Sequence, residues 1–574
     1  MAKISIIIGL LLATIAAPFL LRPANTAGLV ADDDAERLVI ISPHNESIQS
    51  EFTLGFVRHM KEKHSRNVYI DWRQPGGTSE IAMFLKSEYA NAFENLWKKV
   101  TNLSFTTPIR DAFTNGRLDS RITEDSTGYN ARLNRVQSGT QQGAIEDRTL
   151  LSREMFLRSD AGVGIDLFFG GGAYDFTKQA AAGALVATDS SGQYGPGALA
   201  KQHPDWFGED IMPATVSGEP FRDPEFRWVG TVLSSFGLCY NKDIFIRLGV
   251  EPPEQWVDLT NPKLFGQIAL ADPTKSGSAT KAYEMLIQQK IRAIFQSMQM
   301  QARDIGDIEA DAVEQGWDEA MRMILKISAN GRYFTNDATK VPRDVAQGEA
   351  GAGMCIDFYG RTYNEIKKKA DGTSRIEFVM PENGTSIGAD PIGLLRGAPH
   401  PELAHRFIEY VLSIDGQKLW NYRTGAPGGP VRFALRRPPI RKDFYTPEHM
   451  RYMTDGDVNV YELSKDFTYE GKWTGAAFNS LRFAIRCSCV DTHIEQRAAW
   501  QAIITSGMPA DALHVFEDVS AINYEKITGE IGDTLASKDK IKEVALARDL
   551  SSHFREKYRK VIELCDASQR KTRG

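Results

Sequence analysis

The stretch "DWRQPGGTSEIAMFLKSEY", residues 71–89, decides how the chain is read. It runs from the end of a strand, through a bare glycine turn, into a helix whose apolar face carries Ile81, Phe84 and Leu85. Glycines at such a turn let another molecule come close to the backbone. The first turn of a helix points unpaired N–H groups outward and carries partial positive charge. Gly76, Gly77, Thr78 and Ser79 therefore form a small cradle suited to an anion.

Outward from this turn, strand and helix signals alternate. "LVIIS" (residues 38–42) has the continuous apolar character of a buried strand, and Ile48, Phe52, Phe56 and Met60 recur four apart, as on one face of a helix. "VYIDW" is the next strand. The rhythm predicts an α/β chain with a mostly parallel, doubly wound sheet. Residues 91–159 are polar and irregular, which reads as a surface insertion, helical only at its ends. "IGADPIGLLRGAPHPELAHRFIEYVLSIDGQKLW" (residues 387–420) reads as strand, turn and one long amphipathic helix. Beyond Pro438 helix dominates, with Ile541, Val544, Ala547, Phe554, Tyr558 and Ile562 at helical spacing.

Two further turns match the first in kind, "FGGGAYDF" and "DPTKSGSAT". In open α/β sheets ligands bind beyond the carboxyl ends of strands, where such turns collect. Gly171, Gly172, Ser276, Gly277 and Ser278 thus join the candidate ligand-binding set. Each turn alone is explained by ordinary helix capping. Three of them in one α/β chain point to a ligand. His44 and Asn45 follow the first strand at the same sheet edge, and Ser235 lies in "VLSSFGLCYNKDIF". "IDFYGR" gathers Asp357, Tyr359 and Arg361. Arg361 either grips an anion through two hydrogen bonds or holds Asp357 or a helix end.

The 574 residues imply two to four domains, and a net charge of −6 argues against a nucleic-acid partner. The uncharged run "ISIIIGLLLATIAAPFLL" after a basic start addresses the chain for export, as a cleaved signal or a retained anchor, so a periplasmic location is expected. Five cysteines do not form a disulfide framework, and "CSCVDTH" has no common zinc spacing. "GTSIG" followed by Asp390 resembles a serine-hydrolase elbow, but a turn and a strand follow Ser386 where that elbow needs a helix. No catalytic residue, cofactor or resident metal is expected.

The order of "LVIISPHNESI", "GGTSEIAMFLKSE", "DLFFGGGAYDFTKQAAAG", "FGLCYNKD", "WVDLTNPKLFGQIALADPTKSGSA", "AGMCIDFYGR" and "GADPIGLLRGAPHPELAHRFIEYVLSIDGQKLW" resembles the periplasmic solute-binding proteins of bacterial ABC importers, in the ferric-iron-binding-protein-like group. The resemblance covers about residues 38–432. It implies a two-lobed, type II periplasmic-binding-protein-like α/β fold with an insertion in lobe 1 and a mostly helical C-terminal extension. The expected division is a signal or anchor (1–35), lobe 1 (36–234, with the insertion at about 91–159), lobe 2 (235–385), a return to lobe 1 (386–437) and the extension (438–574). The implied partners of a monomeric protein are a small solute, held between the lobes, and a membrane permease. Ferric binders of this kind carry paired tyrosines where this chain has Asp357 and Phe358, with only Tyr359 nearby. A small anionic solute, phosphorylated or phosphonate-like, is therefore expected. Fe(III) held by His44, Asp357 and Tyr359 is the alternative, and a binding lobe turned sensor or scaffold is a third reading.

Overall fold

A computed structural model describes residues 34–124, 128–138, 144–301, 306–463 and 465–573. The expected signal or anchor falls almost wholly outside them. No helix among the described residues is long and apolar enough to cross a membrane.

The first lobe is built on β1 (Glu36–Ile41), flanked in parallel by β2 (Val68–Arg73) and β3 (Leu167–Phe169), with the short β4 (Leu185–Val186) further along. The strands β5 (Thr215–Val216) and β6 (Glu219–Pro220) form a separate small hairpin. The chain then enters β7 (Val229–Asn241), thirteen residues that are all buried. Up to Ser235, β7 pairs antiparallel with β12 (Ile387–Leu395). From Phe236 it pairs instead with β10 (Ala352–Ile356), and along part of that length with β11 (Ile376–Val379). A strand buried along its whole length belongs to two sheets here, and with β12 it joins the lobes. Gly237 lies at the change of partner, where a methyl group would stand 2.2 Å from the Val379 carbonyl oxygen. The second lobe continues through β8 (Ile268–Ala271) to β9 (Gly331–Thr335), both parallel. The two-lobed α/β fold with a helical C-terminal region is the expected one, but the sheet is mixed rather than mostly parallel, because β7 and β12 run antiparallel to the strands they join.

Two local expectations are corrected. The insertion is mostly helical along its described length, not only at its ends. The helix that opens at Thr78 runs unbroken to Thr101, and Thr107–Ala112, Asp119–Glu124, Gly128–Ser138 and Ala144–Arg158 follow. Phe93 and Phe156, on two of these helices, meet Phe105 and Phe113 from the connecting segments in one aromatic cluster. Buried Arg153 staples this cluster to the lobe by donating to the carbonyls of Phe113, Ala181 and Ala182. Likewise, the single long helix expected before Trp420 is two, Pro401–Leu412 and Ile414–Asn421. Ser413 breaks it by adopting an extended conformation and capping the second helix through Gly416 N–H.

The extension stacks Phe478–Ile485, His493–Thr505, Ala510–Phe516 and Lys540–Arg573 against the second lobe. Glu284, on the lobe 2 helix Gly277–Gln301, accepts from Tyr469 Oη (2.8 Å) and Thr474 Oγ1 (2.7 Å) of the extension. Lys281 lies between Glu219 (2.8 Å) and Glu284 (2.9 Å). Glu219, Glu284 and Thr474 are buried, Lys281 and Tyr469 partly so, and their pairing with the apolar contacts holds the extension from Phe467 onward on lobe 2.

Candidate ligand site between the lobes

At the base of the cleft β7, β12 and the helix Asp357–Ile366 converge. Ser235 Oγ donates to Asp357 Oδ2 at 3.2 Å, and Phe358 N–H donates to Oδ1 at 2.8 Å. Burial pushes the Asp357 carboxyl up to about 6, against the pull of the Arg361 and Arg437 charges. Asp390 takes Ser234 Oγ at 3.1 Å and Arg437 Nη2 at 2.6 Å. Burial opposes its charge too, yet Arg437, with a smaller part from His44, holds it below the usual carboxylate range.

Arg437 has no exposed surface, and its guanidinium lies 4.3 Å from the Phe358 ring centre and 5.4 Å from that of Trp420. Its Nη1 lies 3.5 Å from His44 Nε2. Burial drives the His44 imidazole well toward neutrality, with Asp390 pulling the other way. If Nε2 accepts from Arg437, the proton is on Nδ1. Among the described residues neither His44 Nδ1 nor Arg437 Nε has a hydrogen-bond partner, although both are buried. An unmet buried donor costs about 1–3 kcal/mol, so both call for an acceptor.

The mouth of the cleft brings the three glycine and hydroxyl turns together. A methyl group on Gly77 would lie 3.7 Å from the Lys275 carbonyl oxygen of lobe 2, and one on Gly277 would lie 3.6 Å from Asp175 Oδ2 of lobe 1. A methyl group on Gly171, where φ is +117°, would run into Thr78, and one on Gly170 into His44, so base and mouth are continuous. Gly77 and Gly172 sit at helix N-caps without any side-chain cap, which leaves the first N–H groups of those helices open.

Several candidate residues have structural partners already. Ser276 caps its helix by accepting from Ala279 N–H and contacts Ser278 Oγ at 3.0 Å. Asn45 caps the helix Glu46–His64 through Ile48 N–H. Arg361 faces Asp455 of the extension at 3.6 Å. Tyr359 adjoins Phe358, and burial pushes its hydroxyl up, away from the phenolate. No group of three or more His, Cys, Asp and Glu suited to a metal occurs among the described residues. Ser386 stands just before β12 and donates to Glu219 at 2.6 Å, so it occupies no strand-to-helix elbow.

Sequence reasoning missed Arg437, Glu80, Asp175 and Arg482. Glu80 and Asp175 each lie three residues past an uncapped N-terminal glycine, where acids are favoured by the helix dipole. That spacing was visible in the sequence. Arg437 had no signal beyond the pair of arginines before "PPI".

Residues 159–432 match the family described as bacterial extracellular solute-binding protein. The resemblance to the periplasmic solute-binding proteins of ABC importers stands on this match. An uncharacterized protein of Haemophilus influenzae is 26% identical over 206 residues, which is 35% of this chain and 51% of that protein. The phosphoglycerate transport regulatory protein PgtC of Salmonella typhimurium is 24% identical over 191 residues, 33% of this chain and 40% of its own. The chain thus spans about half the length, or less, of these curated relatives. The solved periplasmic binding protein AfuA of Actinobacillus pleuropneumoniae aligns over 81% of this chain and 97% of its own, with 16% identity and a TM-score of 0.44.

Proposed function

We propose that the chain is the extracytoplasmic solute-binding component of an ABC importer, holding a small anionic organic solute between its lobes for a membrane permease. The observation that carries this reading is the pair of buried, unpartnered nitrogens at the base, the donor Arg437 Nε and His44 Nδ1, itself a donor when Nε2 accepts from Arg437. Two uncapped helix N-termini reach the same cleft from lobe 1. A phosphate or carboxylate oxygen is the acceptor such donors fit. Solute bound to one lobe gains contacts to the other only on closure, and so draws the lobes together. Nothing in this role requires catalysis.

A second reading rests on the mouth. Glu80 Oε2 is buried without a partner, and Asp175, largely buried, is held above the usual carboxylate range by desolvation, against Arg482 and Lys178. Two such acids favour an amine-bearing solute. Calorimetric titration of the soluble chain with 3-phosphoglycerate, inorganic phosphate and putrescine separates the readings. The anion reading expects heat from a phosphorylated compound at about micromolar affinity, near 8 kcal/mol. Heat from putrescine alone would replace it with the amine reading.

A further inference from the structure

The extension meets the chain before β7 first through Lys442 and Tyr469, whose N–H groups donate to the Ile211 and Ser217 carbonyls, and farther along it reaches lobe 1 again at the mouth. Arg482 lies on the helix Phe478–Ile485. Its Nε donates to the Pro273 carbonyl at 2.7 Å and its Nη2 to the Thr274 carbonyl at 3.1 Å, both in the lobe 2 turn "DPTKSGSAT". The same Nη2 lies 3.0 Å from Ser79 Oγ, in the first turn of the lobe 1 helix Thr78–Thr101. One helical turn earlier, Phe478 packs on Tyr174 of lobe 1, ring centres 4.4 Å apart. Residues four apart share a helix face, so Phe478 and Arg482 meet lobe 1 together.

We infer that the C-terminal extension is a strap across the cleft, with Arg482 as the bolt that joins the two lobes and holds them closed. The extension moves with lobe 2, because Tyr469 and Thr474 bond Glu284, and Glu470 and Thr474 bond Gln288, on the lobe 2 helix Gly277–Gln301. Opening the cleft therefore breaks the Arg482–Ser79 bond and separates Phe478 from Tyr174, while the bonds from Arg482 to Pro273 and Thr274 stay intact. In an ordinary two-lobed binder the solute supplies most of the closing free energy. Here part of it is built into the chain, so the closed form is populated before solute arrives. The Arg482 guanidinium also stands beside Asp175 and Ser79, and so forms part of the wall that any solute meets. The inference rests on the solute-binding reading only in calling the space between the lobes a ligand cleft.

The test measures lobe separation without solute. The five native cysteines are all buried, which leaves Ser87→Cys on lobe 1 and Gln347→Cys on lobe 2 as the sites for paired spin labels. The unmodified extension is expected to give one short distance by pulsed electron–electron resonance. Arg482→Ala is expected to lower the closed-to-open ratio by about tenfold, the scale of one charge-assisted hydrogen bond. Ser79→Ala cuts only the lobe 1 end of the bolt and leaves the extension's packing untouched, so it guards against misfolding of the first variant. It is expected to broaden the same distribution by a smaller factor. Unchanged distances in both variants would overturn the strap. The same labelled protein titrated with inorganic phosphate reports on solute binding separately, so either idea can fail without the other.

Discussion

The base and the mouth of the cleft use charge in opposite ways. At the base, Asp357 and Asp390 face Arg437 and Arg361 in a largely buried cluster, and the nitrogens left without partners are Arg437 Nε and His44 Nδ1. At the mouth, backbone N–H groups are open at two helix ends, but the unpartnered side-chain atom is an acceptor, Glu80 Oε2. The base is braced by ion pairs whose loss leaves a buried charge alone. The mouth is made of turns and caps that meet only when the lobes are closed. Stability is therefore concentrated at the base and discrimination at the mouth.

Arg437→Ala is the harshest test of that contrast. It strands the Asp390 carboxylate in a buried site, and a loss of about 3–5 kcal/mol is expected in urea unfolding. A loss under about 1 kcal/mol would mean that the base is not the brace.

Asp357→Asn probes the same cluster with the opposite sign. The folded-state pKa of about 6 lies above the unfolded value. The folded state therefore binds the proton more tightly, and stability falls as pH rises from about 4 to 6. Removing the charge is expected to stabilise the protein above pH 6, by up to about 3 kcal/mol, with the gain vanishing near pH 4. Melting curves at pH 7.5 and 4.5 read this directly. A gain at both pH values would assign the effect to packing.

Moving to the mouth, the Ser276→Ala, Ser278→Ala double variant removes a helix cap and a hydroxyl pair. It is expected to cost about 1 kcal/mol of stability and to weaken solute binding severalfold. Unchanged affinity would remove these hydroxyls from the site. Thr78→Ala is the mildest. Among the described residues its hydroxyl has no hydrogen bond, so stability should change by under about 0.5 kcal/mol. A larger loss would show that the mouth carries structural weight as well.

Much of this was legible in the chain. Strand and helix periodicities at residues 38–60, the three glycine turns and the irregular order of "FGLCYNKD" with "WVDLTNPKLFGQIALADP" predicted the α/β fold, the two lobes and the turns that would line a cleft. These are local signals, set by 2-fold and 3.6-fold spacing and by the backbone freedom of glycine.

The misreadings share one cause. The insertion looked irregular because its core is shared among several helices and the segments between them, each contributing a few apolar residues. The ion-pair partner of Arg361 is Asp455, about ninety residues away in sequence. Arg437 reaches His44 and Arg482 reaches Ser79 across about four hundred residues. Sequence by itself determined which segments become strands, helices and turns, because that choice depends on neighbours a few positions apart. Only the tertiary structure decided which charges are paired, which donors are left without acceptors, and that the extension spans the cleft, because burial and partner are properties of places in space.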